Sequence, residues 1–110
     1  IMSNDVVNYP DDSFENMKKF SESNNFNFPY VIDETQIVAK DFMAICTPDF
    51  FGFDADLKLQ YRGRLNSAGK NQTSSETKND LVNAMLSISK NGIRPQEQFP
   101  SIGCSIKWKK

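Results

Sequence analysis

The sequence contains no histidine and only two cysteines among its 110 residues. Histidine is the most common general base and metal ligand, so its absence excludes serine–histidine and cysteine–histidine catalysis within this chain. Two cysteines cannot provide the four Cys or His ligands of a structural zinc site, and we expect no metal site. If the chain performs chemistry, the leading candidates are therefore Cys46 and Cys104.

The sequence also lacks a strong charge of either sign and a long apolar run. Its 13 basic and 14 acidic residues give a formal net charge of −1, so no basic field favours nucleic acid or an acidic membrane surface. No apolar run approaches the roughly 20 residues of a transmembrane helix. A composition of 38% hydrophobic and 25% charged residues is typical of one small globular domain with no nucleic-acid or membrane partner.

The N-terminal half is patterned as helices alternating with short strands. After a strand stub at residues 1–3, the capping-box pair of Asp12 and Glu15 predicts the start of a helix. The expected core-facing stripe of that helix is Phe14, Met17 and Phe20. Residues 28–33 predict a short strand entered through a proline, and Asp33 with Gln36 predicts the cap of a second helix. The expected apolar face of the second helix is Ile37, Val38 and Phe42.

The C-terminal half is patterned as a β-hairpin followed by a helix. Residues 50–53 are rich in phenylalanine, as in a strand buried on both faces, and residues 57–62 alternate like a half-exposed antiparallel strand. Asp54–Asp56 is the predicted turn between them. Thr73 and Glu76 predict the cap of a helix closed by Asn91–Gly92. The expected core stripe of that helix is Leu81, Val82, Met85 and Ile88.

Several segments of this alternating α/β pattern resemble known proteins. The segment CTPDFFGFD (46–54) resembles the Thr–cis-Pro segment of thioredoxin-like proteins, which leads into an aromatic strand. Other segments are similar to the alkyl hydroperoxide reductase/thiol-specific antioxidant (peroxiredoxin-related) branch: SNDVVNYPDDSFENM, FPYVIDETQIVAKDF, YRGRL and PSIGCSIKWK. The resemblance implies an incomplete thioredoxin-like fold, ordered as strand stub, helix, strand, helix, cis-proline, β-hairpin, helix and irregular tail.

The resemblance also implies that the redox cysteine and the central strand of the sheet precede Ile1. We therefore expect residues 1–94 to be a partial thioredoxin-like domain and residues 95–110 to be its tail. A chain that opens on Ile1 and not on methionine is interpreted as a fragment or a processed chain. Without the central strand, two strands would present unpaired backbone groups. This predicts a homo-oligomer or a dimer that swaps an element.

Four residues are candidates for the redox site. The resemblance implies a cis bond between Thr47 and Pro48, whose flanking backbone faces the redox site and can pair with an extended substrate as a short strand would. Cys46 is interpreted either as a buried small hydrophobe or as a resolving thiol. Cys104 is interpreted either as a structural surface cysteine or as a resolving or regulatory thiol. A disulfide between the two requires a separation that the sequence does not specify.

Arg62 and Arg64 flank the end of the predicted hairpin and have two interpretations. They could hold an anionic or peroxide substrate, but exposed arginines on an edge strand are usually solvated and prevent edge-to-edge pairing. We favour the second interpretation from the sequence.

The resemblance implies a thiol–disulfide oxidoreductase or thiol peroxidase, an antioxidant enzyme that acts without a cofactor on a peroxide, a disulfide or a protein thiol. This chain would supply the cis-proline wall of the redox site and be inactive alone. The alternative is a non-catalytic thioredoxin-like binding or dimerisation module. Two cysteines without an obvious pairing favour the reducing cytoplasm.

Overall fold

We describe the protein from a computed structural model of residues 1–110. Its regular elements are α1 (Phe14–Ser23), α2 (Ile37–Asp41), β1 (Phe50–Phe53), β2 (Leu59–Gly63) and α3 (Asp80–Asn91), with a short 3-10 helix at Pro10–Asp12. The two strands form one antiparallel sheet, so the chain combines helices with a small sheet in an α/β arrangement. None of the three α-helices has the length and apolarity that crossing a membrane requires.

The chain divides into two compact units. The N-terminal unit contains Ile1–Ala44 together with Ile106–Lys110, and the hairpin unit contains Ile45–Ser105. The domain boundaries expected from the sequence, 1–94 and 95–110, stay a prediction.

Helix α1 begins one residue later than the sequence predicts. Its N-cap is Ser13, whose Oγ accepts a hydrogen bond at 3.3 Å from the N–H of the third helical residue. Asp12, the predicted cap, lies in the preceding 3-10 helix, which competes for the same residues. The predicted core stripe is only partly correct: Met17 is buried, whereas Phe14 and Phe20 are 53% and 55% exposed.

The strands predicted at residues 1–3 and 28–33 are reduced to a single parallel bridge between Met2 and Ile32. The N–H of Met2 donates to Val31 O at 2.8 Å, and the N–H of Asp33 donates to Met2 O at 2.7 Å. Pro29 has no N–H to donate, which limits how far this segment can extend a hydrogen-bonded ladder. The predicted strand is therefore wrong in its extent.

Asp33 supplies acceptors for the first turn of α2, as the sequence predicts. Its Oδ1 accepts from the N–H of Val38 at 3.2 Å, and its Oδ2 accepts from the N–H of Ala39 at 2.9 Å. Gln36 is the N-cap, but its side chain makes no cap hydrogen bond, so the predicted reciprocal pair is wrong. The apolar face is also wrong, since Ala39 is buried and the residues expected there are exposed: Ile37, Val38 and Phe42.

Strands β1 and β2 form the predicted hairpin, with Gly52 opposite Tyr61. Asp54 closes the turn, because its Oδ1 accepts hydrogen bonds at 2.9 and 3.0 Å from the N–H groups of Asp56 and Lys58. The expectation that β1 is buried on both faces is wrong. Its three phenylalanines are half-buried, and only Gly52 is buried.

Helix α3 packs against the hairpin around a core of Tyr61, Ala84 and Ile88. Leu81 and Met85 pack against this core as predicted. Val82, which the sequence places in the same stripe, is instead 52% exposed. The hydrophobic spacing therefore identifies the helix and most of its buried face.

The start of α3 differs from the prediction, whereas its end agrees. The predicted cap at Thr73 and Glu76 is wrong because Ser74–Thr77 forms a separate turn, in which the N–H of Ser74 donates to Thr77 Oγ1 at 2.8 Å. The helix begins only at Asp80. It ends as predicted at Gly92, which has a left-handed φ of 68° and donates its N–H to Ile88 O at 2.9 Å.

The tail lies along β2 and pairs with its backbone. Gln98 Oε1 accepts from the N–H of Arg62 at 3.0 Å, and Gln98 Nε2 donates to Gln60 O at 2.9 Å. The N–H of Arg64 donates to Phe99 O at 3.0 Å. A side-chain amide here acts as a short strand partner, which satisfies backbone groups of β2.

Candidate functional site

The structure brings the two cysteine-containing segments together within the hairpin unit. We call Cys46–Asp49 the Thr-Pro segment and Ser101–Cys104 the tail segment. Thr47 and Cys104 form an isolated antiparallel bridge: the N–H of Thr47 donates to Cys104 O at 2.7 Å, and the N–H of Cys104 donates to Thr47 O at 3.0 Å. Thr47 Oγ1 also donates to Cys104 O at 3.2 Å. The candidate residues predicted from the sequence therefore lie in one place.

Pro48 is held at the turn of the Thr-Pro segment. The Thr47–Pro48 peptide bond is cis, in agreement with the expectation from the sequence. Pro48 O accepts a weak hydrogen bond at 3.6 Å from Cys46 Sγ.

Asp49 anchors the tail segment and was not identified from the sequence as a site residue. Ser101 Oγ donates to Asp49 Oδ1 at 2.6 Å, and the N–H of Ile45 donates to Asp49 Oδ2 at 3.0 Å. Ser101 is only 8% exposed, and hydrogen bonds to a carboxylate are among the stronger ones in proteins. The sequence signal was the aspartate directly after Pro48, but its partner lies 52 positions away.

Gly103 allows the two segments to approach closely. A Cβ atom at this position would collide with the carbonyl oxygen of Thr47. The sequence signal was a glycine directly before Cys104, but its role depends on the contact with Thr47. Any larger residue would push the tail segment away from the Thr-Pro segment.

The two thiols lie in different environments, and both are free. Cys46 is buried, and burial raises the pKa of its thiol, as does the neighbouring negative charge of Asp49. A buried, protonated thiol is a poor nucleophile. Cys104 is exposed beside Thr47 and is the accessible thiol of the pair.

An open cleft of about 740 Å³ lies beside Cys104. The cleft is bounded by Thr47, Pro48 and Phe50, by residues 64–71, and by the tail segment. These walls place the Cys104 thiol where a small molecule can reach it without entering a closed cavity.

Arg64 lines the cleft but is engaged elsewhere. Its Nε lies 2.6 Å from Asp80 Oδ2, and its guanidinium lies 4.3 Å from the centre of the Phe99 ring. The interpretation of this arginine as a solvated edge residue is therefore wrong. Arg62 stacks over Phe51 at 5.0 Å. In this structure both arginines pack against aromatic rings.

No group of three or more Cys, Asp or Glu side chains is arranged to hold a metal ion. The groups that the structure brings together at this site are the Cys104 thiol, the backbone of Thr47 and the open cleft beside them.

Two solved structures are similar to this chain over nearly its whole length. An uncharacterized conserved protein from Geobacillus kaustophilus has 50% sequence identity and a TM-score of 0.89, covering 97% of this chain and 57% of that one. A hypothetical protein from Sinorhizobium meliloti 1021 has 36% identity and a TM-score of 0.89, covering 97% of this chain and 58% of that one. No protein-family model and no curated protein matches the chain.

These likenesses establish a fold shared with both structures. This chain spans less than three fifths of the length of either protein.

Proposed function

We propose that this chain is the C-terminal part of a thioredoxin-like thiol–disulfide oxidoreductase or thiol peroxidase, of the peroxiredoxin-related branch. The observation that carries the proposal is the exposed Cys104 thiol, held beside Thr47 and Pro48 by a two-way backbone bridge at an open cleft. The resemblance in sequence supports it, because two of the segments that carry the resemblance are those that meet here. The proposed activity belongs to a protein of greater length.

In the proposed reaction a first thiolate, outside residues 1–110, attacks the O–O bond of a peroxide. The attack forms a sulfenic acid and releases water or an alcohol. The Cys104 thiolate then attacks the sulfenic sulfur, so that an S–S bond forms and the hydroxyl leaves as water with the thiol proton. With a disulfide substrate, the first thiolate displaces one substrate thiolate to form a mixed disulfide, and Cys104 then attacks the first cysteine's sulfur and releases the second substrate thiolate. Thr47 and Pro48 form one wall of the site, and no cofactor is needed.

Cys104 and not Cys46 is assigned the resolving role. A resolving thiol must reach a sulfur atom on another part of the protein, and Cys46 is only 9% exposed. Burial also raises the pKa of the Cys46 thiol, which lowers its thiolate fraction. Cys46 fills space behind the Thr-Pro segment in this assignment.

The first test compares the two thiols in residues 1–110. We expect Cys104 to exchange with hydroxyethyl disulfide at least about tenfold faster than Cys46, because Cys104 is exposed whereas burial shields the Cys46 thiol and raises its pKa. Stopped-flow kinetics of the wild type, Cys104→Ser and Cys46→Ser measure each rate at pH 8. The assignment is wrong if Cys104→Ser retains the fast phase.

The second test uses a protein of the length of the similar structures. After one equivalent of hydrogen peroxide, non-reducing peptide mass spectrometry should find a disulfide between Cys104 and a cysteine outside residues 1–110. Cys104→Ser should accumulate sulfenic acid in its place, whereas Cys46→Ser should behave like the wild type. An unchanged peroxide turnover in Cys104→Ser, without such a disulfide, would overturn the proposed function.

The alternative is a non-catalytic thioredoxin-like module for binding or dimerisation. The large number of exposed apolar side chains favours association of this chain with itself or with a swapped element. A binding or dimerisation module becomes the favoured function if no cysteine outside residues 1–110 forms a disulfide with Cys104. In either case we propose the cytoplasm as the compartment, because both cysteines are free.

A further inference from the structure

We infer that the tail segment restricts the redox site to small substrates, hydroperoxides and small disulfides, and keeps extended peptides out. The inference rests on the proposed function, since it names the class of substrate that the site beside Thr47 accepts. The observation that carries it is that Cys104 already uses both backbone hydrogen-bonding groups of Thr47.

An extended peptide binds most readily where a protein offers an unpaired backbone N–H and C=O, because it can add there as a strand. In the Thr-Pro segment, Thr47 is the residue next to the cis bond that has both a backbone N–H and a backbone C=O to offer. Pro48 has no N–H. The N–H and O of Thr47 pair with Cys104 at 2.7 and 3.0 Å, and its hydroxyl adds a third bond at 3.2 Å. A peptide that displaced the tail segment would form hydrogen bonds equivalent to those that it breaks. These bonds would therefore add no net binding free energy.

Two further contacts hold the tail segment in this position. Ser101 donates to the carboxylate of Asp49 at 2.6 Å, and Gly103 packs so closely against the Thr47 carbonyl that no side chain fits between them. The tail segment is also covalently tethered, which gives it an effective concentration of about millimolar at Thr47. A free peptide at micromolar concentration cannot compete with it.

A small substrate meets none of these obstacles. Hydrogen peroxide or a small disulfide needs no strand pairing with Thr47, and the cleft beside Thr47 and the tail segment is open to small molecules. The tail segment therefore selects substrates by size and by the absence of an extended backbone.

The test is binding of a fluorescent peptide that copies residues 100–107 with serine in place of the cysteine. We expect the wild type to show no binding below about 100 µM, because the tethered segment outcompetes the peptide. Gly103→Val, which displaces the segment sterically, and Ser101→Ala, which loses the bond to Asp49, should each bind at least about tenfold more tightly. Ile102→Ala is the matched control, since Ile102 is 70% exposed in the same segment.

Hydrogen exchange gives a second readout of the same position. The Thr47 amide should exchange at least about tenfold faster in Ser101→Ala than in the wild type. Adding the peptide to Gly103→Val should restore its protection. If Gly103→Val fails to fold by circular dichroism, Ser101→Ala alone decides the outcome.

Equal peptide affinity in the wild type and both variants would overturn the inference, as would unchanged exchange at Thr47. The peptide carries no thiol, so its binding does not depend on any redox reaction. The binding test can therefore fail or succeed independently of the proposed function. The peroxide-induced disulfide between Cys104 and a cysteine outside residues 1–110 tests the function, and it should form in the longer wild-type protein with or without the peptide.

Discussion

Single buried polar residues hold the backbone of the N-terminal unit in place. Asp33 is 6% exposed and accepts three hydrogen bonds, from Ser3 Oγ and from the N–H groups of Val38 and Ala39. Burial alone would raise the pKa of this carboxyl, but the hydrogen bonds, led by that of Ala39, outweigh it and lower the pKa. The ionised form is therefore the one that the fold stabilises.

We predict that Asp33 makes the protein sensitive to acid. Because its pKa is lower in the folded state, its contribution is present above the ordinary pKa of 3.8 and is lost as the pH falls through the folded value. Asp33→Asn should lower the free energy of unfolding at pH 7 by about 1–3 kcal/mol and flatten its decline in acid. Urea unfolding between pH 3 and pH 7 measures both effects.

The matched control is Asp41→Asn, an exposed carboxyl at the end of α2. It should leave the acid dependence nearly unchanged. An Asp33→Asn variant with the same pH profile as the wild type would contradict the prediction.

Gln36 connects the two ends of the N-terminal unit through its side chain, which is 1% exposed. Its Nε2 donates to Ser3 O at 2.6 Å and to Lys107 O at 2.9 Å, and its Oε1 accepts from the N–H of Lys109 at 2.9 Å. Its backbone is left-handed, with φ at 65°. The side chain stabilises the unit, whereas the backbone conformation favours glycine.

We therefore predict that Gln36→Ala is more destabilising than Gln36→Gly, although glycine removes the same hydrogen bonds. Alanine should cost about 2 kcal/mol or more for the lost bonds, and glycine should recover about 1 kcal/mol of this at a positive φ. Thermal and urea unfolding of both variants measure the difference. The reverse order would show that the backbone at this position is not strained.

At the level of elements, the hairpin and α3 form the core of the hairpin unit. Two glycines of the hairpin differ in which atoms a side chain at their position would meet. A Cβ on Gly63 would collide with the backbone carbonyl of Phe99, and its φ is 142°. A Cβ on Gly52 would instead meet Met85 Sδ, which lies on a flexible side chain. Backbone cannot move aside as a methionine side chain can.

We predict that Gly63→Ala destabilises the protein by about 2 kcal/mol or more, and Gly52→Ala by about 1 kcal/mol or less. The midpoints of urea unfolding at constant m-value provide the comparison. In a Met85→Ala background the effect of Gly52→Ala should shrink further, which a double-mutant cycle would detect. Equal effects of the two glycine substitutions would contradict this account.

The elements predicted correctly are those whose signals are local. The β-hairpin follows from a phenylalanine-rich segment, an aspartate turn and an alternating strand, and α3 ends at a glycine that adopts the expected left-handed conformation. The helix starts were less accurate because neighbouring serines provide other acceptors for the backbone N–H groups: Ser13 Oγ accepts from Asn16, and Ser74 Oγ accepts from Glu76. The exposure of Phe14, Phe20 and Val82 could not be predicted from the sequence. Whether such a side chain is buried depends on which distant part of the chain packs against it.

At the level of the whole molecule, exposed apolar side chains outnumber buried ones. Twenty-one large hydrophobic side chains are exposed, whereas seven hydrophobic residues are buried. Single exposed apolar residues are normal on a protein surface, but together these side chains present apolar area that association can cover. Association that covers some of them is expected to lower the free energy.

We predict that residues 1–110 self-associate at micromolar concentration. Sedimentation equilibrium should give a weight-average mass above the monomer value of 12.5 kDa, rising with protein concentration. The dye ANS should bind the protein at low concentration and bind less per chain as association proceeds. A monomer that unfolds cooperatively and binds no ANS would argue against this prediction.

By itself, the sequence indicated the order of the helices and the hairpin and made two cysteines the leading candidates for chemistry. The absence of histidine left Cys46 and Cys104, and the Thr-Pro pair marked the position next to them. Only the tertiary structure decided that the tail segment pairs with Thr47, that Cys46 is buried and that Cys104 is accessible. The physical reason is that the contacts Asp49–Ser101 and Gly103–Thr47 join residues more than fifty positions apart. No local sequence pattern indicates that such residues will meet.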